Sequence, residues 1–82
     1  MVETFTEVLG SMPMDGYLCR FRLKEFPRGA EEANTVEGII LGRGPGTVNL
    51  THAEFKHGRH LIHTLGDYSV EIDNVISGQY LE

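Results

Sequence analysis

The chain has 82 residues, and its 7 Lys and Arg against 12 Asp and Glu give a formal net charge of −5. This length predicts one domain over residues 1–82 with a thin core, which partner chains could stabilise further. The acidic balance argues against a tail that holds nucleic acid by bulk positive charge. No apolar run approaches the roughly 18 residues of a membrane span, and no signal-peptide pattern opens the sequence. The single Cys19 excludes an internal disulfide, so we expect a cytoplasmic protein without membrane contact.

The first predicted element is a short amphipathic helix over about residues 2–11. Its apolar side chains recur at three- and four-residue steps, which places them on one face: Val2, Phe5, Val8, Leu9 and Met12. Gly10 and Pro13 indicate that the helix ends by about residue 11. Because so short a helix is unstable alone in water, we expect it to pack on the rest of the chain.

The remainder, from about residue 16 to residue 82, predicts short β-strands separated by turns. Alternating apolar and polar residues mark the strands: Tyr17–Lys24, Thr35–Leu41, Thr47–Ala53, His60–Leu65 with its continuation after Gly66-Asp67, and Val75–Leu81. Turns are expected at three interruptions of the alternation: Gly42–Gly46, Lys56–Arg59 and Gly66-Asp67. Turn spacings of about ten residues predict a mostly β fold, a five-stranded, strongly bent antiparallel small barrel.

The alternation also separates a predicted core from a predicted outer face. The expected core comes from three separate segments: Tyr17, Phe21, Val48, Leu50, Val70 and Ile72, with Cys19 as a small buried hydrophobe. Arg20, Arg22 and Lys24 fall on the opposite face of the first strand and form a basic stripe. This basic stripe either contacts phosphates or acidic partners, or is a solvated face that pairs with Glu37 on a neighbouring strand.

No residue pattern predicts catalysis or a cofactor. Four histidines occupy positions 52, 57, 60 and 63, but His60 and His63 point to opposite faces of a strand. Since a zinc site needs several converging ligands, we expect exposed strand and turn histidines and no metal site. Gly42–Gly46 lacks the Lys-Ser/Thr ending and the following helix of a phosphate-binding loop, so we interpret it as a hairpin turn.

Two segments in the second half of the chain carry motif-like patterns. Thr35–Ile40, with a central glycine, precedes a turn, and Asn49-Leu50-Thr51 follows it. Leu65–Ser77 contains a strand, a break at Asp73-Asn74 and a short last strand. These segments, together with the order of one helix before five strands, resemble the Sm-like family, the LSm and Hfq group. The family's acidic residue in the turn is absent, and Asp73-Asn74 replaces its cationic pair.

The resemblance implies a homo-oligomeric ring that binds single-stranded RNA. In the family, the fourth strand of one protomer pairs with the fifth strand of the next. Here that assigns the subunit interface to Leu61, Ile62 and His63 and to Val75, Ile76 and Ser77. It also assigns RNA contacts to Thr47, Val48 and Asn49 near the third-strand turn and to Asp73 and Asn74 around a central opening, with the basic stripe as a further candidate. Because aspartates around an opening repel phosphate, we expect modest RNA binding without a cationic pore.

A second hypothesis belongs to a different functional class. Small barrels of the SH3 type share the same strand order, and one fold can carry unrelated functions. Such a barrel would serve as a non-enzymatic protein-interaction or assembly module without nucleic-acid binding. The molecular mass in solution separates the two hypotheses, because an isolated interaction module does not form a ring of identical subunits.

Overall fold

Five β-strands form within residues 15–81, the part of the chain that the computed structural model describes. They are β1 (Leu18–Leu23), β2 (Thr35–Gly44), β3 (Thr47–His57), β4 (His60–Glu71) and β5 (Val75–Tyr80), with a 3-10 turn at Ile72–Asn74 before β5. The predicted mostly β class with five antiparallel strands is confirmed. The helix predicted at about residues 2–11 lies outside the described residues.

The strands lie side by side in one antiparallel sheet of order β4-β3-β2-β1-β5. The sheet is neither closed nor strongly curled, so the prediction of a strongly bent barrel is wrong. Closure would require hydrogen bonds between the two outermost strands along a common tilt. Within residues 15–81, β4 instead pairs only with β3 and β5 only with β1, and both are edge strands.

Two hairpins are tighter than the sequence predicted, and one expected turn does not form. The β2–β3 hairpin turns at Pro45-Gly46, where proline presets the backbone and Gly46 takes a φ of 70°. The β3–β4 hairpin turns at Gly58-Arg59. The predicted turn at Gly66-Asp67 is wrong, because both residues remain within β4. Pairing with β3 keeps these residues extended in spite of the break in alternation, since Asp67 lies opposite Thr51.

The hydrophobic core confirms most of the predicted burial. Four strands and the β1–β2 connection supply its buried residues: Cys19, Phe21, Leu23, Ala30, Ala33, Val36, Ile40, Val48, Leu50, Ala53, Phe55 and Val70. Tyr17 is a correction, because it precedes β1 and is 49% exposed. Ile72 lies in the 3-10 turn and is only partly buried, since it packs at the margin of the core.

The pairing is irregular at one level of the neighbouring strands β2, β3 and β4. His52 and the residue after it together oppose Gly38 of β2, which is a β-bulge, and His52 has a φ of 54°. A Cβ at Gly38 would lie 3.0 Å from the carbonyl oxygen of Thr51, so the glycine permits β2 and β3 to approach closely. In the β3–β4 ladder, Thr51 pairs with Asp67 and the residue two positions on pairs with Leu65, so His52 lies opposite Gly66 of β4.

Candidate nucleic-acid interface

An ion pair occupies the first arginine of the basic stripe. Arg20 lies opposite Glu37 in the β1–β2 ladder, and its Nε and Nη2 atoms are 2.9 and 2.8 Å from Oε2 of that carboxylate. Lys56 of β3 places its Nζ 3.2 Å from Oε1 of Glu37. Glu37 is only 8% exposed, so one buried carboxylate connects three strands. The pairing with Glu37 that the sequence left open is therefore present for Arg20.

A groove runs across the outer face of the sheet beside this ion pair. It has a volume of about 640 Å³ and is lined by β1, β5, the start of β2 and the β3–β4 turn. We call it the arginine groove, because it contains Arg20, Arg22 and Arg59; its other lining residues are Asn34, Thr35, Gly58, Ser77, Gly78 and Gln79. Arg22 and Lys24 are exposed, and only Arg22 of these two lines the groove.

Pairing register explains how the arginine groove is assembled. Arg22 lies opposite Thr35 of β2 and opposite Ser77 of β5, and Arg20 lies opposite Gln79. Residues directly opposite one another in a ladder share a face of the sheet. The two arginines of β1 are therefore flanked on that face by amide and hydroxyl side chains.

The residues assigned around the third-strand turn do not all reach the surface. Val48 is 1% exposed and packs in the core, whereas Thr47 and Asn49 are half-buried. Asn49 accepts a hydrogen bond at 2.7 Å from Oγ of Ser69 on β4. A shallow concavity of about 400 Å³ lies beside Asn49 and includes the exposed Leu41. Thr47 and Asn49 thus remain accessible for a ligand, but the side chain of Val48 does not.

The two residues assigned to a central opening have different surroundings. Asp73 is exposed in the 3-10 turn, and its carboxylate is the acidic group of that turn. Asn74 is half-buried and hydrogen-bonds the backbone of Glu25 through both atoms of its amide. Its side chain therefore joins the end of β1 to the turn before β5.

The two edge strands carry exposed apolar side chains at the assigned interface. Leu61 of β4 is 55% exposed and Ile76 of β5 is 50% exposed. Ile62 and Val75 are partly buried against the core. The two remaining members, His63 and Ser77, are also half-buried. Each edge thus presents one large apolar residue to solvent.

Cys19 and two of the four histidines make contacts within the fold. Burial, with a smaller contribution from Glu37, raises the pKa of the Cys19 thiol to about 12. The thiol also donates a 3.3 Å hydrogen bond to the carbonyl of Gly38, so the nucleophilic thiolate does not form near neutral pH. His57 Nδ1 is 3.0 Å from the carbonyl oxygen of Glu32, and the His63 ring lies 6.3 Å from that of Phe55. Between residues 15 and 81, no three His, Cys, Asp or Glu side chains are grouped to hold a metal.

Sequence reasoning missed Arg59 and the polar lining of the arginine groove. Arg59 was assigned only to a turn, and nothing local in the sequence links that turn to β1. The signal that places them together is the register, since Lys56 pairs with Thr35, which in turn pairs with Arg22. A pairing map was therefore needed before this site could be recognised.

The described residues include no helix with the length and hydrophobicity that a membrane crossing requires. In comparisons with known proteins, neither a protein-family model nor a curated protein matches the chain. The function is therefore inferred from the sheet edges, the contacts and the charges of the chain itself.

Proposed function

We propose that this chain is a non-catalytic, self-assembling protein of the Sm-like kind that binds single-stranded RNA. Its subunits would join by pairing β4 of one copy with β5 of the next. The observation that carries the proposal is that, among residues 15–81, β4 and β5 form the two edges of the sheet and each has a half-exposed apolar residue, Leu61 on β4 and Ile76 on β5.

The composition of both edges supports strand addition. Exposed edges of natural sheets are usually protected by Lys, Pro, a bulge or a covering loop. Ile76 of β5 and Ile62 of β4 lie at register shifts, so each edge has one irregularity of this kind. β5 has no charged residue and no proline along its six residues. The first six residues of β4, His60–Leu65, also lack Lys, Arg, Asp, Glu and Pro. A neighbouring strand on each edge would supply the missing backbone hydrogen bonds and cover the apolar side chains.

The unequal edges determine the kind of assembly. Contact between β4 and β5 is heterologous, because two different surfaces meet, and such contacts form a closed ring when the rotation between subunits closes. Continuous pairing around a ring would leave no open edge, although each subunit's own sheet is open. It would also bury additional apolar surface, which a domain of this size needs for stability.

Charge distribution supports RNA binding away from a central opening. Asp73 is exposed and acidic, so phosphate would be repelled wherever several copies of it converge. The arginine groove, with Arg22 and Arg59, is instead a local positive surface on an acidic chain. Thr47 and Asn49 offer a second accessible polar patch that could hydrogen-bond a base.

The assembly is tested by sedimentation velocity on matched edge variants. Ile76→Pro removes a donor from the edge strand β5, and Leu61→Thr removes the exposed leucine of β4. Leu41→Thr removes a leucine that is equally exposed, at 56%, but does not lie on an edge strand. We expect the first two variants to sediment as smaller species, and Leu41→Thr to sediment like the parent protein.

Equal sedimentation of all three variants and the parent would contradict edge pairing. RNA binding is measured separately, by fluorescence anisotropy with a labelled U-rich strand at low salt. An assembled protein that binds no strand would favour the second hypothesis, an interaction or assembly module without nucleic acid.

A further inference from the structure

The arginine groove contains two arginines, Arg22 and Arg59, that have no ion pair within residues 15–81. Arg20 is committed to Glu37 at 2.8 Å, but neither Arg22 nor Arg59 forms an ion pair with any described residue. Both are exposed and line the same groove from different elements, β1 and the β3–β4 turn. The carboxylate of Glu37, which lies opposite Arg20 in the β1–β2 ladder, is already shared between Arg20 and Lys56. No carboxylate of the described part of the chain therefore neutralises the two guanidinium groups of the groove.

We propose that the arginine groove holds the phosphodiester backbone of a single nucleic-acid strand, with Arg22 and Arg59 as its phosphate contacts. This inference rests on the RNA-binding half of the proposed function and assigns it a surface. Guanidinium groups match phosphate oxygens with two parallel hydrogen bonds, which gives them geometric selectivity as well as charge. The amide and hydroxyl groups of Gln79 and Ser77 lie on the same face and can donate further hydrogen bonds to phosphate or sugar.

The lining chemistry favours the backbone over the bases. None of the nine lining residues is aromatic, so the groove offers no ring on which a base can stack. Contacts to phosphates position a strand but carry no sequence information. The groove therefore binds strands of different sequence alike, and any base preference comes from another surface, such as the patch with Asn49.

The groove is compatible with the proposed assembly. Strand addition uses the backbone groups along the free edge of β5, whereas side chains of a strand stand perpendicular to the sheet. Ser77 and Gln79 project from the face that carries the arginines. A neighbouring β4 strand would extend that face beside β5 and would leave the groove open.

The test measures binding of a labelled single strand of about twelve nucleotides, in RNA and DNA versions, at several salt concentrations. Arg22→Gln and Arg59→Gln should each lower the slope of log affinity against log salt by about 0.7, which is about fivefold in affinity at 0.1 M salt. The double variant should lose about twenty-fivefold. Arg28→Gln is the matched control, because Arg28 is an exposed arginine that does not line the groove. It should change affinity less than twofold, because a charge outside the groove contacts no phosphate of the bound strand.

Four results would overturn the inference. Two concern affinity: Arg28→Gln loses as much as the groove variants, or Arg22→Gln and Arg59→Gln lose none. The third is a salt dependence of binding that is seen with RNA but not with DNA. The fourth is displacement of the labelled strand by polyglutamate as readily as by an unlabelled strand. Circular dichroism verifies that each variant is folded. Light scattering separates this inference from the proposed function, because assembly should persist in the arginine variants. If the parent protein binds the strand and both arginine variants bind it equally well, only the assignment of the groove is wrong. If the parent protein binds no strand, the proposal of RNA binding is wrong as a whole.

Discussion

Asn74 holds the backbone of Glu25 from both sides of its carboxamide. Its Oδ1 accepts a 2.9 Å hydrogen bond from the Glu25 N–H, and its Nδ2 donates a 2.8 Å hydrogen bond to the Glu25 carbonyl. The Asn74 carbonyl also accepts a 2.9 Å hydrogen bond from the backbone of Lys24. Three hydrogen bonds thus join the end of β1 to the 3-10 turn between the two sheet edges, so the assigned RNA contact has a structural role.

Asn74→Ala should lower the free energy of unfolding by about 1–2 kcal/mol, because it removes two side-chain hydrogen bonds to the backbone of Glu25. Asp73→Ala is the control at the neighbouring position, where the carboxylate is exposed, and it should stay within about 0.5 kcal/mol of the parent. Urea denaturation measures both. Equal stability of the two variants would mean that the hydrogen bonds of the Asn74 amide to Glu25 do not stabilise the fold.

Arg20→Met should destabilise the fold by about 1–3 kcal/mol, because it leaves the buried carboxylate of Glu37 with Lys56 as its main partner. Arg22→Met lies two positions along the same face and breaks no ion pair with a described residue. It should change stability by less than about 0.5 kcal/mol. Thermal or urea unfolding distinguishes the variants, and the reverse order would show that the Arg20–Glu37 pair is energetically unimportant.

The Cys19 thiol should make stability depend on pH above neutrality. The thiol keeps its proton up to about pH 12 in the folded state, whereas an unfolded thiol ionises near pH 9. The unfolded state therefore loses its thiol proton first, and the free energy of unfolding falls as the pH rises above about 9. Relative to Cys19→Ala, the parent should lose about 1.4 kcal/mol between pH 7 and pH 10. A stability difference that is constant over this range would contradict burial of the thiol.

His52→Gly should stabilise the protein, because His52 adopts a φ of 54° that costs a side-chain-bearing residue about 1 kcal/mol or more. The gain is limited to about 1 kcal/mol, since glycine also gives the unfolded chain more freedom. His60→Gly is the control, an exposed histidine at the start of β4 without positive φ, and should lose about 0.5–1 kcal/mol. The same sign for both variants in urea unfolding would argue against strain at the bulge.

Local alternation was enough to predict the strands and most of the core. Phe21, Leu50 and Val70 are buried as their period of two requires. The alternation failed at strand ends, where Tyr17 lies beyond the paired residues. It also failed at Gly66-Asp67, because pairing with β3 carries the strand through a local turn signal.

The candidate site was less predictable, because it depends on which strands become neighbours. Alternation predicts that Arg22 is exposed, but only the strand pairing shows that it lies in one groove with Arg59 of the β3–β4 turn. Alternation places Arg20 on the outer face, but it does not decide whether this arginine contacts an external phosphate or pairs with Glu37. The structure shows the pair with Glu37. The open sheet was missed for a similar reason, since strand order and register decide closure.

The most direct test of the central claim is the molar mass of the parent protein at micromolar concentration, measured by light scattering. Pairing of β4 with β5 predicts a single species whose mass is at least twice the 9.2 kDa of one chain and a whole-number multiple of it. A closed ring has no free edge, so that mass should stay constant over a tenfold dilution. A mass of 9.2 kDa throughout the dilution series would contradict edge-to-edge assembly.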